Sequence, residues 1–92
     1  MAQVTLEVPR MLRDCIDGRS AVGIDVERLD TVAEAIRLRW PILATHVFTE
    51  AGDLRPHVLL LHNDRMTRWM PQLDVRLADG DRLAIVQAVS GG

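Results

Sequence analysis

The sequence contains no lysine: all eleven of its basic side chains are arginines, spread along 92 residues. It therefore has no ε-amine for a Schiff base and no lysine that could accept an isopeptide bond. The formal net charge is −2, and the basic residues form no stripe, which argues against binding to nucleic acid. The only amine of the chain is the one at its amino end.

Cysteine and long apolar runs are also scarce. Cys15 is the single cysteine, which excludes an internal disulfide and a Cys-x-x-Cys redox or zinc pair. No apolar run approaches the roughly 18 residues of a membrane-spanning helix, and no signal-peptide pattern opens the sequence. We therefore expect a cytoplasmic protein with no membrane partner. At this length, residues 1–88 should form one domain.

Apolar residues at every second position predict strands near the amino end. One strand should run over Val4–Val8 and end at Pro9, and a second should contain Val22, Ile24 and Val26. The two strands are close enough in sequence to form a hairpin with a long link.

Helical spacing follows the hairpin. Thr31 and Glu34 match a capping box, in which each side chain bonds the backbone N–H of the other residue. Val32, Ile36 and Trp40 would then lie on one buried face of the main helix. Pro41 should end that helix and begin a short second one.

Three further strands are expected after the helices. Val58–His62 is an apolar run of strand length, the Asn63-Asp64 turn leads to a short strand around 66–69, and the Asp79-Gly80 turn leads to a last strand, Arg82–Gln87. The simplest packing is an α+β roll with one main helix across a mixed sheet, and with the first and last strands side by side in parallel. The carboxyl end should then lie at the edge of the sheet.

That carboxyl end is Gly91-Gly92, preceded by Val89 and Ser90. Glycine has no Cβ, so a diglycine end can enter a narrow channel and present its carboxylate to the active site of another protein. Residues 89–92 are therefore expected to form a flexible tail.

Several segments together resemble the ubiquitin-like sulfur carriers of the MoaD/ThiS group, which have the β-grasp fold. The resemblance covers nearly the whole chain and rests on residues 8–13, 31–32, 52–58, 63–64 and, most specifically, 77–83 and 88–92. Residues 8–13 look like the cysteine-biosynthesis branch of the group. His62, Gln87 and Ser90 depart from the residues that are usual in the group.

The resemblance implies that Gly92 is the covalent site. An E1-like adenylating enzyme would use ATP and Mg²⁺ to activate its carboxylate, and a persulfide sulfur would then convert it to a thiocarboxylate. A biosynthetic enzyme would accept the sulfur, for cysteine or a related thiometabolite, for molybdenum cofactor or for thiazole. The carrier itself would be no enzyme, would bind no cofactor, and would be a monomer or a heteromer with the acceptor.

A carrier also needs a surface for these partners. If alternate residues of the last and third strands face the helix, the others face outward. We expect partner binding at Leu59, Leu61, Ala84, Val86 and Val89, with Arg82 or Arg65 at the rim.

Two other functions stay open. The chain could be a protein modifier, joined through Gly92 to the lysine of a substrate as ubiquitin is. It could also be an interaction module with an inert tail. His46, His57 and His62 have no ligand-like spacing, so no metal site is expected.

Overall fold

The computed structural model of the chain describes residues 2–67 and 75–87. Five strands form one mixed sheet: β1 (Ala2–Glu7), β2 (Ala21–Val26), β3 (Val58–His62), β4 (Arg65–Met66) and β5 (Arg82–Gln87). Their order across the sheet is β2-β1-β5-β3-β4. β1 and β5 run parallel, and the other neighbours are antiparallel. The expected mixed sheet and the parallel pairing are confirmed.

The last strand is the middle strand of this sheet. The chain therefore leaves the described part from the centre of the sheet and not from an edge strand, where the tail is expected from the sequence. A parallel neighbour on one side and an antiparallel neighbour on the other side fix the backbone of β5.

β1 and β2 form the expected hairpin over their full length, from Ala2 opposite Val26 to Glu7 opposite Ala21. Their link contains a 3₁₀ helix, Arg10–Ile16, that the sequence did not predict. Leu12 and Ile16 of this helix are buried in the core. The link is thus a packed element and not an open loop.

The two expected helices are α1 (Val32–Arg39) and α2 (Pro41–Val47). Val32 and Ile36 are buried against the sheet, and Pro41 is the first residue of α2, where its missing N–H costs no helical hydrogen bond.

The expected capping box at the start of α1 is wrong. A short 3₁₀ helix, Leu29–Thr31, precedes α1, and the Thr31 hydroxyl donates back to the Arg28 carbonyl oxygen over 2.8 Å. The start of α1 makes no side-chain capping bond in the described structure. Burial of Leu29 draws the preceding turn onto the core, so the chain enters the helix already coiled.

The β3–β4 hairpin turns at Asn63 and Asp64, whose φ angles of 48° and 72° give the left-handed pair of a two-residue turn. β4 is shorter than expected, and the predicted residues 68 and 69 of that strand lie outside the described residues.

Both helices cover one face of the sheet. The largest fully buried side chains come from both layers, and they include Leu6, Ile24, Ile36, Leu43 and Leu83. Among helices in the described part of the chain, none is long and apolar enough to cross a membrane. The division into a domain of residues 1–88 and a tail of residues 89–92 stays a prediction.

Candidate functional site

The predicted covalent site lies outside the described residues: this holds for Gly92, for Gly91 and Ser90, and for Val89 of the predicted binding surface. The structure instead describes the strand that leads to them. Leu83 and Ile85 of β5 are buried beneath the helices, at 0% and 3% exposure. The last described segment before the tail is therefore an anchored strand.

The alternate residues of β5 and β3 lie on the face of the sheet opposite the helices. Leu59 pairs with Val86, and Leu61 pairs with Ala84. Directly paired residues point to the same side of a sheet, so these four side chains lie together. Val86 is 37% exposed, and the other three are half-buried. The structure thus brings together the described residues that the sequence assigned to partner binding.

Met66 extends this apolar surface, although sequence analysis did not include it. It pairs with Leu61 across the β3–β4 hairpin and is half-buried. Side chains alternate between the two faces along β3, and the turn at Asn63 and Asp64 has two residues. Together these two facts could have placed Met66 on the open face. We call Leu59, Leu61, Met66, Ala84 and Val86 the open-face patch.

Arg82 lies beside this patch, as expected, but acids of the same chain hold it. Its guanidinium is 3.0 Å from a carboxylate oxygen of Asp64 and 3.6 Å from one of Glu7. The Arg82 side chain is about half exposed, so both pairs are screened by water. Arg65, the other predicted rim residue, is exposed.

A groove of about 560 Å³ opens at the end of the sheet where β5 ends. Its walls come from β1, β2, the 3₁₀ helix of residues 10–16 and β5, and they include Arg10, Met11, Arg13, Val86 and Gln87. Met11 is 79% exposed and adds apolar surface to the wall of the groove. Sequence analysis missed the groove because it rests on the unpredicted 3₁₀ helix.

His62 and Asp81 form a polar cluster at the opposite end of β5. The His62 Nε2 atom lies 2.9 Å from Asp81 Oδ2, and that carboxylate also accepts hydrogen bonds from the Ala78 N–H and the Asn63 amide. These three donors, led by the Ala78 N–H, lower the pKa of Asp81 to about 2. The cluster has a structural explanation, because its hydrogen bonds hold the β3–β4 turn against the start of β5.

No further reactive cluster is found in the described ranges. His46 and His57 are exposed, and no group of three or more potential metal ligands occurs among those residues. Cys15 is half-buried against the core.

Comparison with known proteins supplies the family. The ThiS family model matches residues 12–92. Sulfur carrier protein CysO of Mycobacterium tuberculosis is 28% identical over 91 residues, which cover 97% of this chain and 98% of that protein.

Solved structures agree with this match. A chain of the Amycolatopsis orientalis BexX/CysO complex is 26% identical and superposes with a TM-score of 0.82, over 97% of this chain and 99% of its own length. SAMP1 from Haloferax volcanii is also 26% identical, with a TM-score of 0.78 over 99% of this chain and 100% of its own. The β-grasp fold expected from the sequence is confirmed, and the chain belongs to the ThiS family.

Proposed function

We propose that this chain is a sulfur carrier that holds sulfur as a thiocarboxylate at Gly92. The observation that carries the proposal is that the ThiS family match continues to residue 92 and so includes the Gly91-Gly92 end. The likeness to the CysO sulfur carriers over 97% of the chain supports the same function.

The chemistry must come from a partner, because a carboxylate is a poor electrophile until it has a good leaving group. The Gly92 carboxylate attacks the α-phosphorus of ATP, bound with Mg²⁺ in an E1-like adenylating enzyme, and pyrophosphate leaves. A persulfide sulfur then attacks the carbonyl carbon and displaces AMP. A thiolate of that enzyme or of a small-molecule thiol then attacks the donor sulfur of the resulting acyl disulfide, a new disulfide forms, and the thiocarboxylate leaves with the electron pair of the broken S–S bond. The carrier acts as a co-substrate and not as the catalyst.

The open-face patch is the proposed docking surface for this enzyme and for the sulfur acceptor in turn. Leu59, Leu61 and Val86 leave apolar area on the face that neither α1 nor α2 covers, and Arg82 with Glu7 and Asp64 forms a charged rim. An apolar centre with a polar rim is the usual anatomy of a protein interface. If both partners bind the same face, they cannot bind it at the same time. The two complexes must therefore exclude each other.

The acceptor is proposed to be a biosynthetic enzyme for cysteine or a related thiometabolite, and the alternative is a molybdenum cofactor enzyme. The likeness of residues 8–13 to the cysteine-biosynthesis branch supports the first choice. Because ATP-dependent activation takes place in the cytoplasm, that is the proposed location.

The test is the intact mass of the untagged protein purified from its native cells. A thiocarboxylate replaces one oxygen by sulfur and adds about 16 Da, the same nominal shift as oxidation of Met or Cys15. The added mass must therefore map to Gly92 and disappear when the terminus is alkylated and hydrolysed. A chain without Gly91 and Gly92 is the control. Unmodified protein that also resists ATP-dependent adenylation in extract would refute the carrier function.

A protein modifier is the second candidate, because the modifier SAMP1 from Haloferax volcanii resembles this chain over almost its whole length. In that case the activated Gly92 forms an isopeptide bond with a substrate lysine. Peptides with a Gly-Gly remnant on lysine would support it. Their absence, with a thiocarboxylate present, supports the carrier alone.

A further inference from the structure

We propose that the groove beside the 3₁₀ helix of residues 10–16 binds a segment of the adenylating enzyme in which an Asp or Glu stands next to an apolar side chain. Arg10 and Arg13 bind the carboxylate, and Met11 with the adjoining open-face patch contacts the apolar side chain. This inference rests on the proposed function, because it names a second contact of the enzyme that activates the carrier.

The 3₁₀ helix holds the two arginines on one side of the groove. Leu12 and Ile16 are buried in the core, at 5% and 2% exposure, which fixes the rotation of the helix about its axis. Arg10 and Arg13 are three residues apart, and side chains at this spacing lie one above the other along a 3₁₀ helix. Both line the groove, so they present positive charge to the same occupant.

The Arg13 guanidinium is already oriented by the backbone. Its Nε donates a hydrogen bond to the Val8 carbonyl oxygen over 3.0 Å, and the residue is half-buried. With Nε occupied, the two Nη atoms at the end of the guanidinium carry the remaining N–H donors. Two parallel N–H donors match the two oxygens of one carboxylate. Because Arg13 is held before the partner arrives, little side-chain freedom is lost on binding.

No acid of the described ranges forms an ion pair with Arg10 or Arg13. Glu7 is the one acidic residue among the described lining residues, and its carboxylate lies 3.6 Å from the Arg82 guanidinium. The positive charge on the wall of the groove is therefore left for an occupant. Complementary charge favours an occupant that carries a carboxylate.

The apolar wall of the groove indicates what stands beside that carboxylate. Met11 is 79% exposed, and its flexible thioether can adapt to an apolar side chain. Ala84 and Val86 belong both to the groove and to the open-face patch, so the two surfaces are continuous. A protein that covers the patch therefore reaches the groove with the same surface.

The adenylating enzyme is the partner of this groove because it must recognise the carrier before it consumes ATP. An apolar patch by itself accepts many apolar surfaces. Charged groups across an interface give specificity and a faster encounter more than raw affinity. The contacts of Arg10 and Arg13 thus select the carrier, and the open-face patch supplies apolar area to the complex.

The first test uses the absence of lysine from the sequence. Arg10→Lys places a side-chain amine at the groove. Arg19→Lys is the matched control, because Arg19 is exposed in the same β1–β2 link and does not line the groove. Each variant is mixed with the adenylating enzyme of the same cells, and a water-soluble carbodiimide couples amines to carboxylates in contact with them. We expect Arg10→Lys to be coupled to an Asp or Glu of the enzyme at least about tenfold more than Arg19→Lys, as mapped by peptide mass spectrometry.

The second test measures the KM for the carrier by release of pyrophosphate. Arg13→Lys keeps the positive charge but loses the paired donors, so it should raise the KM at least about tenfold. Met11→Ser should raise the KM about fivefold through lost apolar contact. Leu38→Ser changes a side chain of α1 with a similar exposure of 75% and should leave the KM unchanged. Circular dichroism checks that each variant is folded.

Equal coupling of Arg10→Lys and Arg19→Lys to the enzyme, or coupling of neither, would overturn the inference. Coupling of Arg10→Lys to carboxylates of the carrier alone would overturn it as well, because the groove would then be filled from within the chain. Folded Arg13→Lys and Met11→Ser variants with the KM of the parent chain would have the same consequence. A failure of the proposed function is recognised separately, because the parent chain itself would then release no pyrophosphate.

Discussion

The imidazole Nε2 of His62 lies 2.9 Å from the Oδ2 of Asp81, joining the last residue of β3 to the residue before β5. Both side chains are mostly buried, at 12% and 17% exposure. The backbone carbonyl of Asp81 also accepts the Thr5 N–H, so the same residue connects β3, β5 and β1. His62 stands where the group usually has an apolar residue. Its imidazole is hydrogen-bonded to Asp81 of the same chain, so the polar ring has a partner inside the fold.

Because of Asp81, the free energy of unfolding should vary with pH in the acid range. Its hydrogen bonds to Ala78, His62 and Asn63 lower its pKa from 3.8 to about 2 in the folded chain. As the pH falls, Asp81 of the unfolded chain therefore takes up a proton before Asp81 of the folded chain does. The stabilisation from its hydrogen bonds is full above about pH 4 and is lost as the pH falls to about 2.

We expect Asp81→Asn to lower the free energy of unfolding at pH 7 by about 1–2 kcal/mol, because hydrogen bonds to a charged group are lost. The variant should also show a flatter stability curve between pH 4 and pH 2 in urea titrations. Asp14→Asn, a change at an exposed carboxylate, is the control. Equal pH dependence in the two variants would contradict the assignment.

The two faces of β5 should respond differently to truncation. Leu83→Ala removes a side chain with 0% exposure from the core and should cost about 2–4 kcal/mol of unfolding free energy. Val86→Ala removes a side chain that is 37% exposed and should cost less than about 1 kcal/mol. Urea unfolding of both variants measures the difference, and similar losses would show that the face opposite the helices is also covered.

The turn between β3 and β4 should prefer glycine at its second residue. Asp64 has a φ of 72°, and its carboxylate pairs with Arg82. Asp64→Gly and Asp64→Ala both remove that ion pair, but only alanine keeps a Cβ in the left-handed region. Thermal unfolding should find the glycine variant more stable than the alanine variant by about 1 kcal/mol. The reverse order would contradict the turn geometry.

Partner binding should depend on the open-face patch and not on apolar exposure in general. Leu61→Asp places a charge in the patch, whereas Leu38→Asp changes a side chain of α1 that is 75% exposed on the other side of the molecule. With the adenylating enzyme of the same cells, Leu61→Asp should raise the KM for the carrier at least about tenfold, the effect of about 1.4 kcal/mol of binding energy. Leu38→Asp should leave the KM unchanged, and circular dichroism checks that both variants are folded. Equal KM values for both would remove the patch from the docking surface.

Much of the fold followed from local patterns. The alternation of Val22, Ile24 and Val26 predicted β2, and the apolar run of residues 58–62 gave β3 its observed bounds. Pro41 marked the boundary between α1 and α2 because a missing N–H and a fixed φ act on the backbone directly. These predictions succeeded because each depends on neighbouring residues alone.

Predictions that required distant contacts were less complete. Thr31 bonds to Arg28 and not to Glu34, because burial of Leu29 shapes the approach to α1. The 3₁₀ helix of residues 10–16 has no clear sequence signal, since the burial of Leu12 and Ile16 depends on elements far along the chain, α2 among them. Without that helix the groove beside Gln87 could not be predicted.

By itself the sequence determined the diglycine end, the absence of lysine, the family and the succession of strands and main helices along the chain, because these reside in the covalent chain or in periodicity along it. Tertiary structure alone decided that β5 is the middle strand and that the 3₁₀ helix of residues 10–16 lines a groove beside Gln87. These features depend on contacts between residues far apart in sequence. They are fixed by which strands share backbone hydrogen bonds and by which faces the helices bury, and both are properties of the packed whole.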